Sequence, residues 1–180
     1  CQGSGRGAYF ATGEGADSRL VGVTIAAGRV TGSGRGAGIA CVGSSPHIEN
    51  CVIVGGRADA DGGAIYCLDS APTLLGCTLA ANRSARGGGL FVSGASTPQV
   101  ERSVVWGNCA DVIGDAIYLD SAGSQVTLTC TVVDTSEIEG AGSPIYGVEV
   151  VVDDPLFCSQ PPCGAAPTSD GDFTVSAASV

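Results

Sequence analysis

The acidic residues of this chain fall in spacings that invite a chemical reading. Asp69 and Asp120 each open an Asp-Ser-Ala triplet, and two carboxylates facing each other across a cleft are the acid and base of sugar hydrolysis. At equivalent points of a stacked repeat, two layers apart, they would stand roughly 9 to 10 Å from each other, near the upper end for an inverting pair. The same triplets are also turn chemistry, in which Asp and Ser cap the local backbone, and capping is the reading preferred. Asp153 and Asp154 are adjacent, but neighbouring side chains of an extended segment point apart, so a turn before Pro155 is expected. Asp59-x-Asp61-Gly and Asp170-Gly-Asp172 gather oxygen ligands of the kind calcium takes. Neither completes a known calcium loop, and no other cofactor is called for.

His47, the sole histidine, follows Pro46 in a polar column continued by Thr73 and Gln99, and reads as an exposed polar residue. Nine cysteines are many for a cytosolic protein, and none forms a C-x-x-C pair suited to zinc or thioredoxin chemistry. Cys158 and Cys163 flank Pro161-Pro162 and are expected to form a local disulfide. The odd count leaves one thiol to stay free, be modified or pair between chains, and Cys1 is placed for lipidation or an intermolecular bond. Trp106 and Tyr118 are candidates for a carbohydrate-binding face, with packing as the plainer reading. Asn82-Arg-Ser84 has the form of a glycosylation sequon, a pattern common by chance.

The elements that must position these residues come from an internal repeat. Pro46, Pro72 and Pro98 are spaced by 26 and 26, as are Cys51, Cys77 and Ser103, while Ile39, Ile65, Leu90 and Ile117 are separated by 26, 25 and 27. One unit reads Gly38-Ile-Ala-Cys41, a turn, Pro46-His-Ile-Glu-Asn50, then Cys51-Val-Ile-Val54 and a Gly/Asp-rich loop. Apolar residues alternate within these runs, the period of strands with one buried face, and no helical stripe competes. Each unit thus offers three short strands and a loop. A period of this length signals a solenoid, and one of about 26 residues is too long for a left-handed hexapeptide coil.

The motif Gly-Gly-x-Ile-x-Cys-x-x-Ser-x-Pro-x-Ile-x-x-Cys-x-Ile-x-x-Asn resembles the secreted right-handed parallel β-helix repeat proteins of the pectin-lyase-like superfamily. Over residues 19 to 158 it is most similar to their bacterial surface and adhesin-like members. Asp154-Pro-Leu-Phe-Cys158 through Gly171-Asp-Phe-Thr-Val175 also resembles the closing segment of such proteins. Polygalacturonase-like members would bring Gly-His-Gly and Arg-Ile-Lys motifs, and this chain has one histidine and no lysine.

The reading is therefore an all-β parallel β-helix of roughly six coils. Residues 1–18 form a Gly-rich segment or partial first coil, 19–157 the helix, and 158–180 a Pro/Cys-containing tail. Stacking turns columns into ladders. Cys41 over Cys67 and Cys51 over Cys77 lie in inward columns where sulfur packs as a small apolar group; disulfides between coils are the alternative, against the awkward geometry of in-register neighbours. Asn82 over Asn108 exchanges side-chain amide bonds. Asp59 and Asp61, Arg83 and Arg86, and Asp111 and Asp115 alternate in sign along the rod as a salt-bridge ladder.

Eighteen acids against eight arginines give a net charge of −10, which excludes an electrostatic hold on nucleic acid or anionic membrane. No stretch reaches the roughly 18 apolar residues of a membrane span. The function expected is a non-enzymatic, secreted or cell-surface structural or adhesive module. It would associate end to end as a filament or continue as a longer chain, with surface glycans as possible partners. The alternatives are a carbohydrate-active lyase or hydrolase, and a glycan- or ice-binding module.

Overall fold

A computed structural model describes residues 5–155, 157–159, 166 and 172–175. The chain winds as a parallel β-solenoid with four faces. The first sheet stacks Ala8–Phe10, Ile39–Val42, Ile65–Leu68, Leu90–Ser93, Ile117–Leu119 and Ile138–Gly140. The second stacks Arg19–Val21, His47–Glu49, Thr73–Leu75, Gln99–Glu101, Gln125–Thr129 and Ser143–Tyr146. The third runs through Thr24–Ala26, Val52–Val54, Thr78–Ala80, Val104–Trp106 and Val132–Val133, and the fourth through Arg29–Val30, Arg57–Ala58, Arg83–Arg86 and Cys109–Ile113. All these pairings are parallel; the antiparallel pair Phe157–Ser159 and Asp172–Val175 stands apart from them.

Two features differ from the sequence reading. The expected six coils are about four full turns, because only four carry a strand in every sheet; the layers after them lack the fourth strand and then also the third. The expected Gly/Asp-rich loop is itself a short strand. Its residues, such as Arg57-Ala58 and Arg83-Ser84, are too few and too polar to show a period of 2, yet they pair in register, Arg29 with Arg57 and Arg57 with Arg83. The pairing comes from the stack, which satisfies backbone groups without asking for apolar side chains.

The strands stay short because each face ends at a corner. Asn50, Gly76, Arg102 and Cys130 form one corner column, with φ of 51°, 63°, 48° and 50°. The three successive turns that begin at Gly36, Gly62 and Gly87 each contain four residues of positive φ, one at each corner. Left-handed backbone there reverses the pleat, so the strand before and the strand after both direct alternate side chains inward.

The interior is filled by the columns found in the sequence. Ile39, Ile65, Leu90 and Ile117 are in register and fully buried, as are Ile53, Leu79 and Val105. Cys41 stands over Cys67, and both are buried.

Candidate functional site

Three side-chain ladders run along the rod, and they account for most of the chemistry-bearing residues. In the first, at the junction of the third and fourth sheets, the buried Asn82 accepts from Gly56 N at 2.8 Å. It donates to Ile53 O at 2.9 Å and to Asn108 Oδ1 at 3.0 Å. Asn108 repeats the pattern against Leu79 O. The amides thus cross-link coils and meet the backbone groups of the bend.

The second ladder holds two of the buried thiols, Cys51 and Cys77, while Cys41 and Cys67 stack separately in the first sheet. Cys51 Sγ donates to Leu20 O and Cys77 Sγ to Ile48 O, each a carbonyl of the preceding turn, and in the same column Thr131 Oγ1 donates to Val100 O. Thiol and hydroxyl therefore do the same job, beyond filling space. Burial pushes the Cys77 thiol up to about 11. The Cys41 thiol beside it, together with burial, pushes Cys67 up. Neutral thiols are poor nucleophiles. Cys41, Cys51, Cys67, Cys77 and Cys130 are free, whereas Cys109 is disulfide-bonded. Cys1, Cys163 and Asp170, and the side chains of Cys158 and Asp172, lie outside the described residues.

The third ladder covers the outer face of the first sheet and was not found in the sequence. Tyr66, Phe91 and Tyr118 stack with ring centroids 5.4 and 5.6 Å apart and interplanar angles of 15° and 29°. Each ring lies one residue after the buried Ile65, Leu90 and Ile117, so the offsets that revealed the core column would also have revealed this one. Beside the rings runs an ionic chain. Asp61, only 3% exposed, accepts from Arg35 Nε and Arg86 Nε at 2.8 Å each. Arg86 continues to Asp120 at 3.0 Å and lies 4.9 Å from the Phe91 centroid. Asp61 holds both arginines more firmly protonated than usual.

Below Tyr66 the column continues to Ala40 and then Tyr9. A cleft of about 200 Å³ opens there, lined among others by Arg6, Tyr9, Arg35, Ala40, Val42 and Tyr66. Arg6 packs 4.7 Å from the Tyr9 ring centroid and Arg35 5.5 Å from that of Tyr66.

Most of the remaining sequence candidates are dispersed. Asp69 accepts from Ala95 N of the next coil, itself occupying a left-handed corner with φ of 49°. Asp120 pairs with Arg86 and Ser93. The strand register sets Asp120 one position out of the Asp69 column, since Ser93 pairs with Leu68 and Val92 with Leu119. Asp59 caps Gly32 N while Asp61 is spent on two arginines, so the two acids do not share a cation cup. Among the described residues no group of three His, Cys, Asp or Glu could hold a metal ion. Of the alternating charges, Arg83 meets Asp111 and Arg86 meets Asp61, and Asp115 instead accepts from Ala110 N. His47 pairs in register with Thr73, with its ring 3.6 Å from Glu49. Trp106 is half-buried in the third sheet in register with Ala80.

No curated protein and no solved structure matches the chain. The family described as right-handed beta helix region matches residues 9–179, nearly the whole sequence and all four parallel sheets. The chain belongs to that right-handed β-helix family.

Proposed function

We propose that this chain is a non-enzymatic structural or adhesive module of the cell surface or extracellular space, akin to the surface and adhesin-like branch of the β-helix superfamily. The observation that carries this reading is how the candidate acids are spent. Asp59, Asp61, Asp69 and Asp120 each bond to another coil of the same rod, so their charge stiffens the stack instead of converging on a shared cleft. Outward residues are left to meet surface glycans or other partners. The rod ends support association with another copy or with a continuation of the polypeptide. At the first coil a cleft of about 260 Å³ reaches core residues including Leu20, Val23 and Ile25, and strand edges at the end of a stack invite further pairing. No helix among the described residues is long and apolar enough to cross a membrane.

One observation favours a second reading, a carbohydrate-active enzyme. Burial, with Asp134 and Asp115 nearby, pushes the Glu137 carboxyl up to about 7, the range a general acid needs. Two experiments separate the readings. The whole chain is screened against acidic polysaccharides: turnover lost in Glu137→Gln or Asp69→Asn would overturn the structural reading, and none is expected. Light scattering and electron microscopy across a dilution series should show concentration-dependent end-to-end particles, and a compact monomer at all concentrations would refute assembly.

A further inference from the structure

The aromatic ladder has one rung without a ring. Phe91 lies between Tyr66 and Tyr118 at the spacing that stacked coils impose. At the next position down, Ala40 lies between Tyr66 and Tyr9, with the same register on both sides. Two coils separate those tyrosines by about 9.6 Å, so a ring inserted midway would sit about 4.8 Å from each, inside the range of favourable aromatic pairs. The cleft over Ala40 holds about 200 Å³, where an apolar cavity of about 150 Å³ suffices for benzene. Tyr9 on its outer side is 56% exposed, against 1% for Phe91, which has a ring on both faces.

The cleft is also cationic in a chain of net charge −10. Arg35 and Arg6 both line it, and the facing acid, Asp61, is already neutralised by Arg35 and Arg86. Arg6 donates through Nη2 to Arg35 O at 2.9 Å. Its Nε is buried beneath the surface, so the part of Arg6 that can meet a ligand is the rest of its guanidinium where the residue lines the cleft. A gap between two tyrosine rings, lined by the Arg6 and Arg35 guanidinium groups that pack over those rings, calls for one kind of ligand.

We propose that the cleft over Ala40 binds a small aromatic carboxylate, whose ring fills the vacant rung and whose anionic group answers Arg6. A planar ring is favoured over a sugar because the repeat spacing is that of stacked aromatic faces. This proposal does not depend on the rod assembling or on its being non-enzymatic.

The test is titration of the whole chain with benzoate and 4-hydroxybenzoate, followed through the Tyr9 and Tyr66 ring resonances. Saturable binding with a Kd on the order of 0.1–1 mM is expected. Cyclohexanecarboxylate, which keeps the charge without the flat face, benzyl alcohol, which keeps the ring without the charge, and glucuronate should each bind at least about tenfold more weakly. Ala40→Phe should abolish binding while the thermal midpoint holds or rises, because the new ring completes the ladder. Should Ala40→Phe fail to fold, Tyr9→Ala at an exposed position should weaken benzoate about tenfold with the fold intact. Arg6→Gln should do likewise. Absence of saturable binding would overturn the site, as would undiminished binding in Ala40→Phe or Tyr9→Ala. Glucuronate binding as tightly as benzoate would overturn the aromatic class, and indifference to Arg6→Gln the carboxylate.

Discussion

Asn82 is fully buried and makes hydrogen bonds to Gly56, Ile53, Ala80 and Asn108. Removing its amide leaves Gly56 N without its acceptor and takes a donor from Ile53 O inside the stack, the costly half of hydrogen-bond energetics, while Asn108 Oδ1 keeps the Asn82 backbone N–H. Asn82→Ala is expected to lose about 3 kcal/mol in urea unfolding; a loss below about 1 kcal/mol would mean that the ladder contributes little. Glu137 makes a pH prediction. Its carboxyl rises from 4.5 to about 7 on folding, so between those values the folded chain keeps a proton that the unfolded chain has released. The stability this group contributes is complete below about pH 4.5 and is lost as pH rises through about 7. Glu137→Gln, neutral throughout, should therefore melt higher than the parent at pH 8 and match it at pH 4. Melting curves across that interval check the sign.

At the scale of the strand, inward and outward positions should respond very differently to one substitution. Val105 is fully buried between Leu79 and Val133, whereas Thr78 sits on the outward side of the neighbouring strand. Val105→Asp should cost about 4 kcal/mol or unfold the middle of the rod, and Thr78→Asp less than about 1 kcal/mol; equal losses of thermal stability would show the faces to be misassigned. The corners give the opposite sign. Arg102 is exposed and holds φ at 48° where Gly76, one turn earlier in the same column, holds 63°, so Arg102→Gly is expected to gain about 1 kcal/mol. These elements also show what could be read from the sequence. The core columns were legible because Ile39, Ile65, Leu90 and Ile117 carry their periodicity in residue type. The corners were not, because Asn50, Gly76, Arg102 and Cys130 share a backbone angle and no side-chain chemistry. The fourth sheet was hidden for a related reason, its strands being specified by neighbours above and below. The candidate site was half legible: Asp61, Arg86 and Tyr118 were each noticed, but their meeting on one face depends on a register that only the full set of columns fixes.

For the whole molecule, the decisive fact is that each turn touches little besides the turns directly above and below it. Stability in such an array is close to a sum over turns and their interfaces, so the rod should open in units, beginning where an interface is missing. The buried thiols turn that expectation into something measurable. Cys41 and Cys51 share one turn, Cys67 and Cys77 the next, and among the described free thiols only Cys130 is less than fully enclosed. Under native conditions an alkylating reagent reaches a shielded thiol only when its surroundings come apart. Cys130 should react first, then Cys41 together with Cys51, and last Cys67 together with Cys77. If Cys41 were instead modified in step with Cys67, the opening unit would be the sheet. The four sulfurs thus act as a clock for breathing, recording whether the solenoid unwinds loop by loop or splits along a seam.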